Sequence, residues 1–310
     1  MRVAGIDCGT NSVRLLVADV EERSAVQVHR EMRIVRLGQG VDRSGRLAPE
    51  AIERTRLALA DYARTCADLE VEAVRMVATS ATRDAGNRDD FVAMVQATLG
   101  VEPEVISGSQ EAALSFDGAT RDLDPAAGPF LVIDIGGGST EFVLGVGSAQ
   151  ASLSVDVGCV RLTERHLVDD PPTATQISAA EADVDAAVVA VRAAVPIDQA
   201  RTAVGLAGSV TTVAALALGL VGYEPERIHL ARLPAAQVLD ACSRLLAMTR
   251  AERAALPFMH PGRVDVIGAG ALVLRVVVDR FDLDGLTVSE SDILDGITWS
   301  VAGTTTTRQR

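Results

Sequence analysis

The sequence predicts an α/β protein of two domains built on one plan. The first sign is a repeat: Ile6-Asp7-Cys8-Gly9-Thr10-Asn11-Ser12 and Ile133-Asp134-Ile135-Gly136-Gly137-Gly138-Ser139 stand 127 residues apart. Each follows an apolar strand-like run, ends it on an aspartate, turns through glycine, offers a hydroxyl five positions after the aspartate and starts a second apolar strand. The second sign is the alternation of strand and helix patterns after each copy, which is the signature of an α/β layer fold. The third is Asp122-Leu123-Asp124-Pro125-Ala126-Ala127-Gly128-Pro129, a stretch of helix breakers just ahead of the second copy. It places a domain boundary between residues 124 and 125, giving domains 1–124 and 125–310. The final helix, about 291–303, is expected to pack back on the first.

The elements follow in order. Residues 2–8, 13–20 and 26–36 read as three strands. Pro49 opens a helix whose stretch from Ala51 to Leu69 carries apolar residues at Ile52, Leu57, Leu59, Ala60 and Ala63. Strand Val71–Ala78, helix Arg88–Leu99 stopped by Gly100, strand Glu104–Ile106 and helix Ser109–Thr120 complete the first half. The second half restarts with strands at 130–135, 140–146 and 151–157. Helices are expected at 160–167, 178–195, 210–218, 235–248 and 265–279, with strands at 202–206 and 285–288. Disorder is expected from Thr304 to Arg310. A pair of such domains facing each other across a cleft brings both loops to one ligand, and domain interfaces are preferred ligand sites.

Composition narrows the function. At 310 residues with 48% hydrophobic and 23% charged residues, the chain is an ordinary globular one. No apolar run reaches the length of a membrane span and the N-terminus enters a strand directly, so a cytoplasmic protein without a membrane partner is expected. Cys8, Cys66, Cys159 and Cys242 form no C-x-x-C pair, and the four histidines show no metal-ligand spacing. A net charge of −13 argues against nonspecific nucleic-acid binding. All 29 basic residues are arginine. A Walker A loop, a Schiff base and a catalytic lysine are thereby excluded, and side-chain recognition of phosphate falls to the bidentate guanidinium fork.

The loops have a chemistry of their own. Glycine admits turns that a Cβ forbids and lets main-chain N–H groups close on an anion. An aspartate at the strand end aims a carboxylate where a phosphate-bound Mg²⁺ would sit. A single strand-Asp-Gly turn is usually only a hairpin, but two in the same phase point to a phosphate site.

Further segments join the two loops: Ala78-Thr79-Ser80-Ala81-Thr82-Arg83, Ile106-Ser107-Gly108-Ser109-Gln110-Glu111-Ala112, and the extension Thr140-Glu141. In order and spacing this set resembles the exopolyphosphatase/guanosine pentaphosphate phosphohydrolase (Ppx/GppA) family. Gly158-Cys159-Val160-Arg161-Leu162-Thr163, Gly205-Leu206-Ala207-Gly208-Ser209 and Asp295-Gly296-Ile297 continue the likeness over nearly the whole chain. The resemblance implies two actin-like ATPase (ribonuclease H-like) domains. It implies that Glu111 is the catalytic base, and that Asp134 and Glu141, with Asp7 at the equivalent place on the first loop, line the metal side. Mg²⁺ is the expected ion, with Mn²⁺ as the alternative. Arg83 is expected to reach the phosphate chain. Gly9, Thr10, Asn11 and Ser12 with Gly136, Gly137, Gly138, Ser139 and Thr140 form the cradle, and Gly208 and Ser209 its far wall.

The expected substrate is inorganic polyphosphate, or alternatively pppGpp, since both present a terminal phosphoanhydride. The chain stops near residue 310, as in the short two-domain form that lacks extra C-terminal helices, and no basic tract is available to track a long polymer. Short chains are therefore favoured. A kinase-like enzyme and a non-catalytic sensor of phosphate polymers are the alternatives from other classes. The apolar, arginine-spaced helix at 265–279 suits either core packing or the seam of a homodimer.

Overall fold

The computed structural model describes residues 1–21 and 24–308, and divides them into two compact units. Met1–Gly118 forms the first together with the C-terminal segment from Ile293, and Ala119–Asp292 forms the second. The division falls a few residues ahead of the Asp124-Pro125 linker.

The first unit is built on a five-stranded sheet in the order β3-β2-β1-β4-β5. Its strands are β1 (Arg2–Cys8), β2 (Ser12–Val20), β3 (Ala25–Ile34), β4 (Ala73–Ala78) and β5 (Glu104–Val105). The β1-β2-β3 meander is antiparallel, whereas β4 and β5 join parallel through helical crossovers. Strand alternation sorts β1 between two layers. Ala4, Ile6 and Cys8 enter a core that also holds Leu59 and Tyr62 from helix Pro49–Asp68 and Phe91 and Val95 from helix Arg88–Leu99. The opposite face carries Gly5 and meets the C-terminal helix Ile293–Arg308. That approach depends on missing side chains. A Cβ at Gly5 would lie 2.3 Å from Thr298 Oγ1, and one at Gly296 would lie 2.1 Å from the Leu114 carbonyl oxygen of helix Gly108–Thr120. The helix continues through Arg308, into the threonine run where disorder was expected. Gln309 and Arg310 lie outside the described residues.

The second unit repeats the plan with one strand added, in the order β10-β11-β9-β6-β7-β8. Here β6 is Phe130–Ile135, β7 Thr140–Gly145, β8 Ala149–Val155, β9 Thr202–Leu206, β10 Arg232–Pro234 and β11 Gly285–Val288. Antiparallel β6-β7-β8 corresponds to β1-β2-β3, and parallel β9 and β11 correspond to β4 and β5. Leu131, Ile133 and Ile135 face one large core shared with helices Ala174–Ala194, Ala207–Ala217, Ala235–Ala247 and Ile267–Arg280. Every apolar residue of helix 267–280 is buried, which makes it a core element and not a free seam.

Several short elements do not show in the sequence pattern, among them strand β10 and helix Ser80–Asp84. Strand β10 is only three residues long and is held by pairing with β11, a long-range contact that periodicity does not report. Helix Ser80–Asp84 has five residues, too few to show a period. Among the described residues no helix is long and apolar enough to cross a membrane.

The close approach at Gly296 predicts that Gly296→Ala destabilises the protein by about 1–3 kcal/mol, the usual cost of overpacking. Gly222→Ala, where an added methyl meets nothing within 4 Å, should stay within about 0.5 kcal/mol of wild type. Denaturant unfolding of the two variants measures the difference.

Candidate active site

The two glycine loops are the same device. In the first, the Gly9 amide donates to the Ser12 carbonyl at 3.0 Å; in the second, the Gly136 amide donates to the Ser139 carbonyl at 3.0 Å. Around that closure each loop lends its remaining carbonyls to the chain behind it. Val35 and Arg36 donate to the Asn11 carbonyl and Gly38 to that of Thr10. Cys159 donates to Gly136, and Val160 and Arg161 to Gly137. The last three amides belong to the first turn of helix Cys159–Arg165, so the loop satisfies the donors that a helix start leaves open. Gly158 permits the contact, because a Cβ there would stand 2.4 Å from the Gly137 carbonyl oxygen. Among the described residues, the amides of Gly137, Gly138 and Ser139 donate to no other group of the chain. Three successive open N–H groups form a concavity for an anion.

In the first unit the loop is tied to the end of β4. The Thr79 amide donates to the Cys8 carbonyl at 3.2 Å, and the hydroxyls of Thr10 and Ser80 share a hydrogen bond of 2.8 Å. Ser80 opens the short helix that carries Arg83. Arg83 donates through Nη1 to the Ile106 carbonyl at 3.1 Å and to Glu111 Oε2 at 3.0 Å. Glu111 is on the first turn of helix Gly108–Thr120 and is only 8% exposed. The structure thus joins Arg83 and Glu111, which stand 28 positions apart in sequence, into one ion pair.

The aspartates differ between the copies. Asp7 sits opposite Arg14 across β1 and β2, and its Oδ2 accepts from Arg14 Nε at 3.0 Å and Nη2 at 2.6 Å. Asp134 sits at the matching register opposite Glu141, a second buried carboxylate that accepts from the Ser154 hydroxyl at 2.7 Å. Cross-strand like charges repel. A divalent cation bound between them would relieve the repulsion, and oxygen-only donors are of the type that Mg²⁺ or Mn²⁺ takes. No cluster of three or more His, Cys, Asp or Glu side chains able to hold a metal ion occurs among the described residues.

Gly208 and Ser209 lie in the first turn of helix Ala207–Ala217, directly after β9, where a loop up to residue 210 was expected. Ala207 reaches that turn in the left-handed region, with φ of 66°. Thr140 anchors the second loop by donating to the Val157 carbonyl at 2.6 Å.

Three participants escape sequence reasoning. Arg263 packs its guanidinium on Gly208 and donates to the Gly208 carbonyl at 3.3 Å; a Cβ at Gly208 would fall 2.3 Å from its Cζ. Arg161 donates through Nε to the Gly138 carbonyl at 2.8 Å, and Ser80 braces Thr10. Arg161 stood within a quoted motif, but its type alone did not separate it from other surface arginines. Ser80 likewise stood within a quoted motif without a role of its own, and Arg263 gave no signal.

A family model described as the Ppx/GppA phosphatase family matches residues 16–304. Exopolyphosphatase 2 of Mycobacterium tuberculosis is 55% identical over 315 residues, covering 97% of this chain and 99% of that protein. A crystal structure of an exopolyphosphatase-like protein, 42% identical, matches with a TM-score of 0.94 over 98% of this chain and 99% of its own. A guanosine-5'-triphosphate,3'-diphosphate pyrophosphatase of Vibrio atlanticus is 31% identical over 96% of this chain and 59% of its own length. The chain belongs to the Ppx/GppA phosphatase family and has its actin-like ATPase fold.

All four cysteines are buried, two of them, Cys8 and Cys159, beside the loops. Burial pushes each thiol above its ordinary value of 9.0, Cys66 up to about 11 and the others in the same direction. The folded thiols therefore stay protonated where unfolded ones ionise, so the unfolded state binds fewer protons and stability falls as pH rises above about 9. With no lysine to titrate, unfolding free energy measured from pH 7 to 10 should decline chiefly through these thiols and buried Tyr62, whose hydroxyl burial also pushes up. Iodoacetamide at pH 8 should label no cysteine until denaturant is added.

Proposed function

We propose that this protein is an exopolyphosphatase that hydrolyses the terminal phosphoanhydride of inorganic polyphosphate, favouring short chains, and releases orthophosphate. The observation that carries the reading is the half-buried Arg83–Glu111 pair tied through Ser80 and Thr10 to a glycine loop. The Mycobacterium tuberculosis relative's name, at 55% identity, supports the same activity. Phosphoryl transfer asks a protein for alignment and charge stabilisation more than for covalent chemistry. The open amides of Gly137, Gly138 and Ser139 hold phosphate oxygens, with Gly9, Thr10, Asn11 and Ser12 as the matching loop of the first unit. Arg83 presents one face of its fork to Glu111 and the other to the phosphate chain. Glu111 orients a water and takes its proton as the water oxygen bonds to the terminal phosphorus and the bridging P–O bond breaks. Asp134 and Glu141 are the residues that would hold Mg²⁺, which when bound would neutralise phosphate charge, whereas Asp7, expected on the same side, has its charge met by Arg14.

The name of the Vibrio atlanticus relative favours a second reading, hydrolysis of pppGpp to ppGpp, which presents the same bond to the same loops. A phosphate-release assay with Mg²⁺ on tripolyphosphate, long polyphosphate, pppGpp and ATP separates the readings. Release from tripolyphosphate is expected to be the fastest. Transfer from ATP to an acceptor, with nothing from polyphosphate, would sink the proposal. Glu111→Gln should lower kcat by about 10²–10⁴-fold, the usual range for general-base help, with KM little changed. A loss under tenfold in a folded variant counts against Glu111.

A further inference from the structure

Arginine in the second unit is generally engaged. Arg275 pairs with Glu181, Arg280 with Asp185 and Arg165 with Asp183, and Arg253 donates to the Met248 carbonyl. Arg201 and Arg232 are different. Both are exposed, and among the described residues no ion pair or side-chain hydrogen bond engages either guanidinium. Both line one cavity of about 320 Å³, bordered also by Thr202, Asp284, Gly285 and Thr287. In a chain of net charge −13, two uncompensated guanidinium groups around one hollow make a local positive site, since a bare fork is matched to oxyanions.

The cavity is separate from the glycine loops. Thr202, in its wall, begins β9, and Leu206 ends that strand one residue before the turn that holds Gly208. At ~3.3 Å per residue the strand puts about 13 Å between them.

Asp284 decides the ligand. A carboxylate in the wall opposes a fully deprotonated anion but accepts a hydrogen bond from an acidic P–OH. Monohydrogen phosphate offers both faces, anionic oxygens for arginine and one O–H for the carboxylate. Sulfate, fully ionised at neutral pH, offers only the first. We propose that the Arg201–Arg232 cavity is a second binding site for orthophosphate, selected over sulfate by Asp284. Its existence does not depend on the reaction, although orthophosphate is what the proposed reaction releases.

The test is equilibrium dialysis of the full-length protein against radiolabelled inorganic phosphate. Wild type should bind one phosphate per chain more than Arg201→Gln/Arg232→Gln, which should weaken that class of site about tenfold or more, given the worth of hydrogen bonds to charged groups. Both residues are exposed, so the double variant should keep its melting temperature and its rate on tripolyphosphate. Sulfate should fail to displace the second phosphate from wild type and should displace it in Asp284→Asn. Identical stoichiometry in wild type and the double variant overturns the site. Equal competition by sulfate in wild type overturns the role of Asp284.

Discussion

One main-chain hydrogen bond, from the glycine amide to the serine carbonyl three residues on, governs each half of this protein. It closes the Gly9–Ser12 and Gly136–Ser139 turns at the same length of 3.0 Å. Closing the turn commits the loop's carbonyls to the segment behind it. In the second unit the Gly136 and Gly137 carbonyls receive the first-turn amides of helix Cys159–Arg165, and the amides of Gly137, Gly138 and Ser139 remain open. A buried backbone group left without a partner is costly. The fold meets that cost for these carbonyls, and among the described residues the three amides have no partner in the chain.

The two copies share a backbone and differ in charge. Asp7 is matched by Arg14 at the register where Asp134 meets Glu141. The first copy therefore holds its carboxylate with an internal cation, while the second sets two carboxylates opposite each other. That asymmetry divides the work expected of a phosphohydrolase. The first unit carries the Arg83–Glu111 pair, and the second carries the oxygen donors a magnesium ion suits.

The first unit also shows how a chain gains a layer from its far end. β1 presents Ala4, Ile6 and Cys8 to one core, but its other face is covered only when helix Ile293–Arg308 returns. Gly5 and Gly296 are the contact points, where the absence of a Cβ allows backbone to approach side chain or carbonyl closely. Helix packing at that distance fixes position more tightly than apolar area alone would.

Local chemistry made much of this legible in sequence. The Asp-Gly turns, the strand pairs around them, the helix Arg88–Leu99 stopped at Gly100 and a helix at 265–279 follow from periodicity and from residues with special backbone freedom, which act within a few positions. Glu111 and Arg83 became candidates only through the order of motifs, and their 3.0 Å contact required the fold. The contacts of Arg263 with Gly208, Ser80 with Thr10 and Ser154 with Glu141, and the pairing of the short strand β10, were not visible in the sequence even where one partner stood in a quoted motif. Each joins residues remote in sequence. An arginine or serine looks alike whether it faces water or clasps a loop. The sequence by itself determined where the chain turns and which residue types reach the turns. Tertiary structure decided which arginines brace the site, because that depends on what long-range packing places beside them.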